Sequence, residues 1–262
     1  MFQKLHTEEY EIIYHIPSLF SFPLISAVVE KNQSGNIYVD KKETPQIVFI
    51  INHAGFSYLF AAIKIDFNRL IDFFLQEKTI PRYFHLYDPP TGLIDFTLKR
   101  KELGVKLRAR IQLRYTKSYI RPEKYKPAMP LAIRHIDSGN FSELDVFNLH
   151  LDKKFWTSKE AFLKEGYGIF LTNETGIPVT LCYSVSVSRG LAEIDIMTRP
   201  EYQGLGLAKY VTALFVEQSI NKNIQANWDC FEENLGSLKT ARTLKFETIR
   251  KYPFLSLYKN KI

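Results

Sequence analysis

Hydrophobic and polar residues alternate with period two in some stretches of this chain and recur at helical spacing in others, and the two patterns take turns along it. The clearest strand lies near 105–115. There Val105, Leu107, Ala109, Ile111 and Leu113 share one parity, and Lys106, Arg108, Arg110 and Arg114 the other. A period of two means one buried face and one wet face. The same reading predicts strands near 36–40, 47–52, 56–63 and 83–88 and helices near 66–78 and 91–103 in the first half. In the second half it predicts strands near 131–136, 167–172, 178–188, 191–198 and 225–230, helices near 140–150, 158–165, 205–221 and 234–245, and a final extended segment. Strands interleaved with helices indicate an α/β chain with a mixed sheet.

Between the halves stands a polar stretch, 121–130, punctuated by Pro122, Pro127 and Pro130. Proline continues neither a ladder nor a helix interior, so the domain boundary is placed here, giving domains 1–125 and 126–262. The tails of the two halves run in parallel. Each reads as three strands, a helix, a short strand closing on an aromatic–Asp pair (Tyr87-Asp88; Trp228-Asp229), a helix and a last strand. This suggests one architecture used twice, with chemistry kept in one copy.

Composition narrows the class. The 262 residues are 45% hydrophobic and 24% charged, enough for a real core and unlike a disordered or collagenous chain. Two distant cysteines, Cys182 and Cys230, give neither a disulfide framework nor metal-ligand spacing, so a reducing cytoplasm and no metal are expected. The apolar stretch 16–29 is broken by Pro17 and Pro23 and is shorter than the roughly 20 residues of a spanning helix. Glu8, Glu9 and Glu11 stand where a leader would be basic, so neither a leader nor a membrane partner is expected. The net charge of +7 is uneven: from Lys99 to Lys126 there are eleven Lys/Arg against two acids. Such a row is either a footprint for an acidic partner or a solvated strand face. No recognition motif accompanies it and no aromatic residue interleaves on that face of the strand, so the solvated face is favoured and no nucleic-acid partner is expected.

The segment that carries chemistry is 193–208. It begins as a strand, breaks at Arg199-Pro200 and passes through Gly204 and Gly206 into an amphipathic helix. A helix N-terminus behind a glycine loop is an anion site, because its first N–H groups have no internal partner and carry partial positive charge. There is no Gly-Lys-Ser/Thr here and no three-glycine dinucleotide pattern.

Gln203-Gly204-Leu205-Gly206-Leu207-Ala208 matches the Gln/Arg-x-x-Gly-x-Gly/Ala signature of the GNAT superfamily of N-acyltransferases. Pro200-Glu201-Tyr202 stands directly before it. A second block, Trp228-Asp229-Cys230 followed by Asn234, Ser237, Ala241, Leu244 and Phe246, resembles the superfamily's closing strand and helix. The strand Glu193–Thr198, and Gly35–Asp40 with Pro45 after it, resemble a bacterial subfamily with an additional N-terminal domain. The resemblance is closest over 166–246 and weaker over the first 125 residues. It implies a GNAT acyl-CoA N-acyltransferase fold preceded by a truncated, degenerate GNAT-like domain. It also implies an acetyl-CoA-dependent N-acetyltransferase acting on a primary amine of a small molecule. A protein lysine or N-terminus as acceptor, or a catalytically silent CoA-binding regulatory protein, are the alternatives. A monomer or homodimer is expected.

On this resemblance, backbone groups of Met197 and Thr198 hold the pantetheine arm and thioester carbonyl. The N–H groups of Gly204, Leu205, Gly206, Leu207 and Ala208, introduced by Gln203, hold the pyrophosphate. Asn234 and Ser237 add side-chain hydrogen bonds, or else cap and pack the last helix. Direct attack needs a neutral amine and therefore a base, for which Glu193 and then Asp195 are the candidates; one exposed charged strand side is the alternative. Ala241 occupies the place where many members have a tyrosine acid, leaving Cys230 or Tyr183 as substitutes, or a thiolate that departs unassisted. His150 and Trp156, with Asp152 and Phe155 nearby, read as an aromatic and acidic rim for a cationic amine, and Asp229 as an orienting or strand-ending residue. In the first half the corresponding loop, Ala61–Asn68, has no glycine.

Overall fold

The computed structural model describes residues 2–150 and 154–259, which fall into two compact units. The first comprises residues up to Arg110 together with those from Tyr252 on, and the second Ile111–Lys251.

In the first unit, β1 (Gln3–Lys4), β2 (Gly35–Val39), β3 (Ile47–Asn52) and β4 (Phe56–Ala61) form successive antiparallel pairs. The chain then crosses through α2 (Phe67–Gln76) to β5 (Tyr83–Tyr87), parallel to β4. α3 (Thr91–Leu98) follows, then β6 (Leu103–Arg114), which begins in this unit and ends in the other. The partner of β5 on its far side is β12 (Glu247–Lys259), antiparallel, with Phe254 opposite Tyr87. One core joins Phe49, Phe74, Phe84, Leu86, Leu255 and Leu257. Ahead of β2, two 3-10 turns lead into α1 (Pro23–Val29), every residue of which is buried. Gly35 is required where α1 meets β2 and β3: a Cβ there would stand 2.6 Å from the Ile51 carbonyl and 2.7 Å from a Val28 methyl.

In the second unit, β7 (Ala132–His135), β8 (Gly168–Thr172), β9 (Pro178–Ser188) and β10 (Leu191–Thr198) are antiparallel neighbours. α5 (Leu207–Asn221) crosses to β11 (Gln225–Phe231), parallel to β10. The end of β6 lies beside β11, with Tyr115 N–H on the Ala226 carbonyl at 3.0 Å. α4 (Lys159–Glu165) precedes β8, and α6 (Leu235–Thr243) precedes β12. The core gathers Leu171, Cys182, Ala192, Val211, Phe215, Trp228 and Phe246.

Three expectations change. The boundary falls at 110/111 rather than 125/126, and the chain from Tyr252 on, most of β12, returns to the first unit. The proline stretch misleads because it is folded into the second unit: Pro122 is buried in a 3-10 turn (Pro122–Tyr125), and Tyr125 packs on that unit's core. The helix near 140–150 is a 3-10 stretch, Phe141–Phe147, closed by Asn148 at φ +52. The alternation of β6 is also broken, since Leu107 is 46% exposed and Gln112 is buried. Gln112 is satisfied by Arg250, whose Nε donates to its Oε1 at 2.9 Å. Aromatic rings do stand beside the basic row, but they come from other strands: the Arg110 guanidinium lies 4.9 Å over the Phe254 ring. Among the described residues no helix is long and apolar enough to cross a membrane.

Candidate active site

β10 is the strand around which the site is built. Leu191, Ala192 and Glu193 pair in parallel with Gln225, Ala226 and Asn227, and the register stops there. β10 itself continues to Thr198 against β9. Past Glu193 the edge of β10 that faced β11 is therefore open. An irregularity in the β9–β10 ladder between Glu193 and Ile194 accompanies the parting.

The ladder decides which backbone groups face the opening. Arg199 N–H donates to the Val179 carbonyl at 3.0 Å, and Met197 is the register partner of Leu181. Antiparallel residues bond the same neighbour at every second position, so Met197 bonds to β9 while Ile196 and Thr198 turn to the open edge. Two contacts agree: the Met197 carbonyl accepts from Thr180 Oγ1 at 2.9 Å, and the Thr198 carbonyl accepts from Gln203 Nε2 at 3.1 Å. Of the two residues expected to offer their backbone, Thr198 turns it to the open edge and Met197 turns it to β9; Ile196 faces the open edge as well, two positions back from Thr198.

The loop after β10 turns through Pro200–Tyr202 to Gly204 (φ +80) and Gly206 (φ +83), the residue before α5. Both glycines adopt the left-handed conformation that side chains resist. A Cβ on Gly204 would meet nothing within 4 Å, and one on Gly206 only the Lys209 side chain at 3.8 Å. The N–H groups of Gly204, Leu205, Gly206, Leu207 and Ala208 have no hydrogen-bond partner among the described residues. Five unpartnered donors at the start of a four-turn helix, with room beside both glycines, form a cradle suited to a pyrophosphate.

The two candidate bases differ. Glu193 is buried, 7% exposed, and accepts from Asn227 Nδ2 at 2.6 Å. Asp195 is half-buried; its Oδ2 accepts from Tyr183 Oη at 3.0 Å, and its Oδ1 from the Ile196 N–H at 2.9 Å. The Tyr183 phenol is fully buried and its pKa is pushed well up by burial and by the Asp195 charge. Burial likewise pushes the Cys182 thiol up, and Cys230 is buried too.

Other predicted residues have structural work. Asn234 caps α6, its Oδ1 accepting from Ser237 N–H at 3.1 Å, and Ser237 Oγ accepts from Trp228 Nε1 at 2.9 Å. Trp156 is not a rim residue: it is 3% exposed, donates through Nε1 to the Ser184 carbonyl at 3.1 Å and meets Phe162 edge-on. Its spacing from His150 could not show that the indole turns inward. His150, exposed at φ +45, lines a cavity of about 440 Å³ with Asn148, Leu149 and Lys154. Asp152 lies outside the described residues. Asp229 is half-buried on β11, two residues beyond Asn227. No group of three His, Cys, Asp or Glu able to hold a metal occurs among the described residues.

The family model for GNAT acetyltransferases matches residues 19–255. The chain belongs to the GNAT acetyltransferase family. A relative named as an uncharacterized N-acetyltransferase, YdfB of Bacillus subtilis strain 168, is 26% identical over 238 residues, covering 87% of each chain. Among solved structures, a GCN5-related N-acetyltransferase-like protein from Streptococcus suis 89/1591 aligns with a TM-score of 0.73 at 21% identity, over 95% of this chain and 98% of that one. A tandem GNAT protein from the clavulanic acid biosynthesis pathway aligns at 0.61 and 10% identity, over 100% and 99%. At these identities the structural likeness establishes the mixed α/β GNAT fold. The protein is an acyltransferase, an enzyme of acetyl transfer, in a family that generally draws its acetyl group from acetyl-CoA. The unpartnered loop amides and the open edge of β10 fit that donor.

Proposed function

We propose that this enzyme acetylates a primary amine of a small molecule by direct attack on acetyl-CoA, with Glu193 as the carboxylate that takes the amine's proton. The observation that carries this reading is the parting of β10 and β11 directly after the Glu193–Asn227 pair, which sets a buried carboxylate at the apex of the opening. Acetyl-CoA, when bound, supplies an activated thioester. The amides of residues 204–208 hold its pyrophosphate, and the backbone of Ile196 and Thr198 aligns the pantetheine arm and the thioester carbonyl. Glu193 takes up the proton, directly or through water, as the new C–N bond forms. Asp195, held by Tyr183, is the second candidate. The Tyr183 phenol is buried and engaged with Asp195, Cys230 is buried and Ala241 has no acid, so in this reading the thiolate departs unassisted.

The first unit serves in this reading as a degenerate GNAT-like copy that binds no cofactor. At the start of its α2 the Asp66 carboxylate accepts from Asn68 N–H at 3.0 Å and Arg69 N–H at 3.3 Å, where a cofactor phosphate would otherwise sit. The acceptor is a soluble amine encountered in the cytoplasm, with neither nucleic acid nor membrane as partner.

Isothermal titration of acetyl-CoA and free CoA into the protein and a Gly206→Trp variant tests the donor site. Micromolar binding abolished by the substitution supports it, and thiol release across a panel of small amines then identifies the acceptor class. Absence of binding to the unaltered protein would sink the catalytic reading.

A further inference from the structure

Four side chains stand in one row across four neighbouring strands at the apex: Arg114 on β6, Asn227 on β11, Glu193 on β10 and Ser186 on β9. Asn227 and Ser186 are fully buried and Glu193 nearly so. The Asn227 amide is polarised across this row. Its Nδ2 donates to Glu193 Oε2 at 2.6 Å, and its Oδ1 accepts from Arg114 Nη2 at 3.5 Å. A guanidinium has only donors, and an ionised carboxylate only acceptors, so one amide orientation satisfies both. The charges feel each other: burial and the nearby Arg250 lower the Arg114 pKa, and the Glu193 carboxylate raises it.

A carboxylate this far from water takes up a proton unless donors face it, and a protonated carboxyl accepts nothing from an amine. On the reading that Glu193 is the base, we propose that Asn227 and Arg114 are positioning residues that keep the Glu193 carboxylate ionised and aimed into the opening between β10 and β11. Asn227 makes the contact, and Arg114 fixes which way its amide faces and strengthens the donor it presents. Neither side chain has to touch the acceptor. The device is electrostatic and geometric, and its signature is a change in how Glu193 titrates rather than in how acetyl-CoA binds.

The test compares Asn227→Ala and Arg114→Met with the unaltered protein. Ser186→Ala serves as a packing control, because the Ser186 hydroxyl is buried in the same row yet has no hydrogen-bond partner among the described residues. Glutamate side chains labelled with ¹³C are titrated by NMR, with Glu193 assigned through Glu193→Gln. The pH profile of kcat/KM for thiol release is recorded with the best amine of the panel, and acetyl-CoA affinity by titration. In Asn227→Ala the Glu193 midpoint rises by about one pH unit, with a smaller rise in Arg114→Met. The acid limb of the rate profile moves with it, acetyl-CoA affinity stays within about twofold, and Ser186→Ala moves neither. If Asn227→Ala does not fold, Arg114→Met carries the test, since it leaves the Asn227–Glu193 contact in place. Folded variants whose Glu193 midpoint and acid limb coincide with the unaltered protein's overturn the proposal. A fully active Glu193→Gln overturns the base assignment as well. An inactive Glu193→Gln beside an unmoved Asn227→Ala overturns the positioning role alone.

Discussion

The indole N–H of Trp228 donates to the hydroxyl of Ser237 across 2.9 Å, joining β11 to the first turn of α6. The hydroxyl is thereby part of the fold's own hydrogen bonding, and Asn234 beside it caps the same turn. Ser237→Ala strands the largely buried indole donor and is expected to cost about 1–2 kcal/mol. Acetyl-CoA affinity is expected to change less than twofold. Urea unfolding and titration calorimetry check the two halves; a large loss of affinity with unchanged stability would return Ser237 to the cofactor.

Gly204 and Gly35 predict opposite kinds of damage. At Gly204 there is room for a side chain but φ is +80, so Gly204→Ala costs only about 1 kcal/mol and mainly disturbs the loop that faces the cofactor. At Gly35 a Cβ would press on the Ile51 carbonyl at 2.6 Å, which is backbone and cannot turn aside. Gly35→Ala is expected to cost about 3 kcal/mol and to leave acetyl-CoA affinity per folded molecule unchanged. Paired unfolding curves and titrations separate the two.

Substituting the two acids of β10 should have unequal effects. Glu193→Gln removes the proposed proton acceptor and is expected to lower kcat by about 10²–10⁴. Asp195→Asn keeps a partner for the Tyr183 hydroxyl and is expected to lower it about tenfold or less. Steady-state kinetics on the two variants decides between them, and the reverse order would make Asp195 the base.

His85 gives the first unit a pH dependence of its own. Its pKa is pushed down to about 4 from 6.5 by burial and by the charges of Arg108 and Arg110. The unfolded chain therefore takes up a proton near pH 6.5 that the folded protein refuses until about pH 4. This contribution to stability is fully present above pH 6.5 and declines as the pH falls from there toward 4. Because the ring is only half-buried, the loss is on the order of 1–2 kcal/mol. Thermal unfolding between pH 7 and 4 should show Tm falling more steeply in the unaltered protein than in His85→Gln, and parallel curves would refute the assignment.

Most elements were legible because their burial follows their period. The five residues Gly168–Thr172 form a run bounded by turn residues, and α5 starts directly after a loop carrying two glycines. The glycine loop was legible for the same reason: few other residues can adopt φ near +80 ahead of a helix. What stayed hidden depends on tertiary neighbours. Alternation gives Gln112 a polar residue's place among buried ones, and its Oε1 is met by Arg250, 138 positions away. Trp156 resembled a rim residue until its indole was seen bonded to Ser184. The Asn227–Glu193 contact has no local signal, because it depends on the parallel register of two strands separated by a whole helix.

β6 and β12 each serve both units, and this ties the folding of the first unit to the progress of synthesis. β5 finds its outer neighbour only in residues 254–258, so a nascent chain that already holds every residue up to Arg110 still exposes β5 as a bare sheet edge. Until residues 254–258 have been made, the outer edge of β5 lacks the strand that covers it in the folded protein, and such an edge is where misassociation during synthesis is expected.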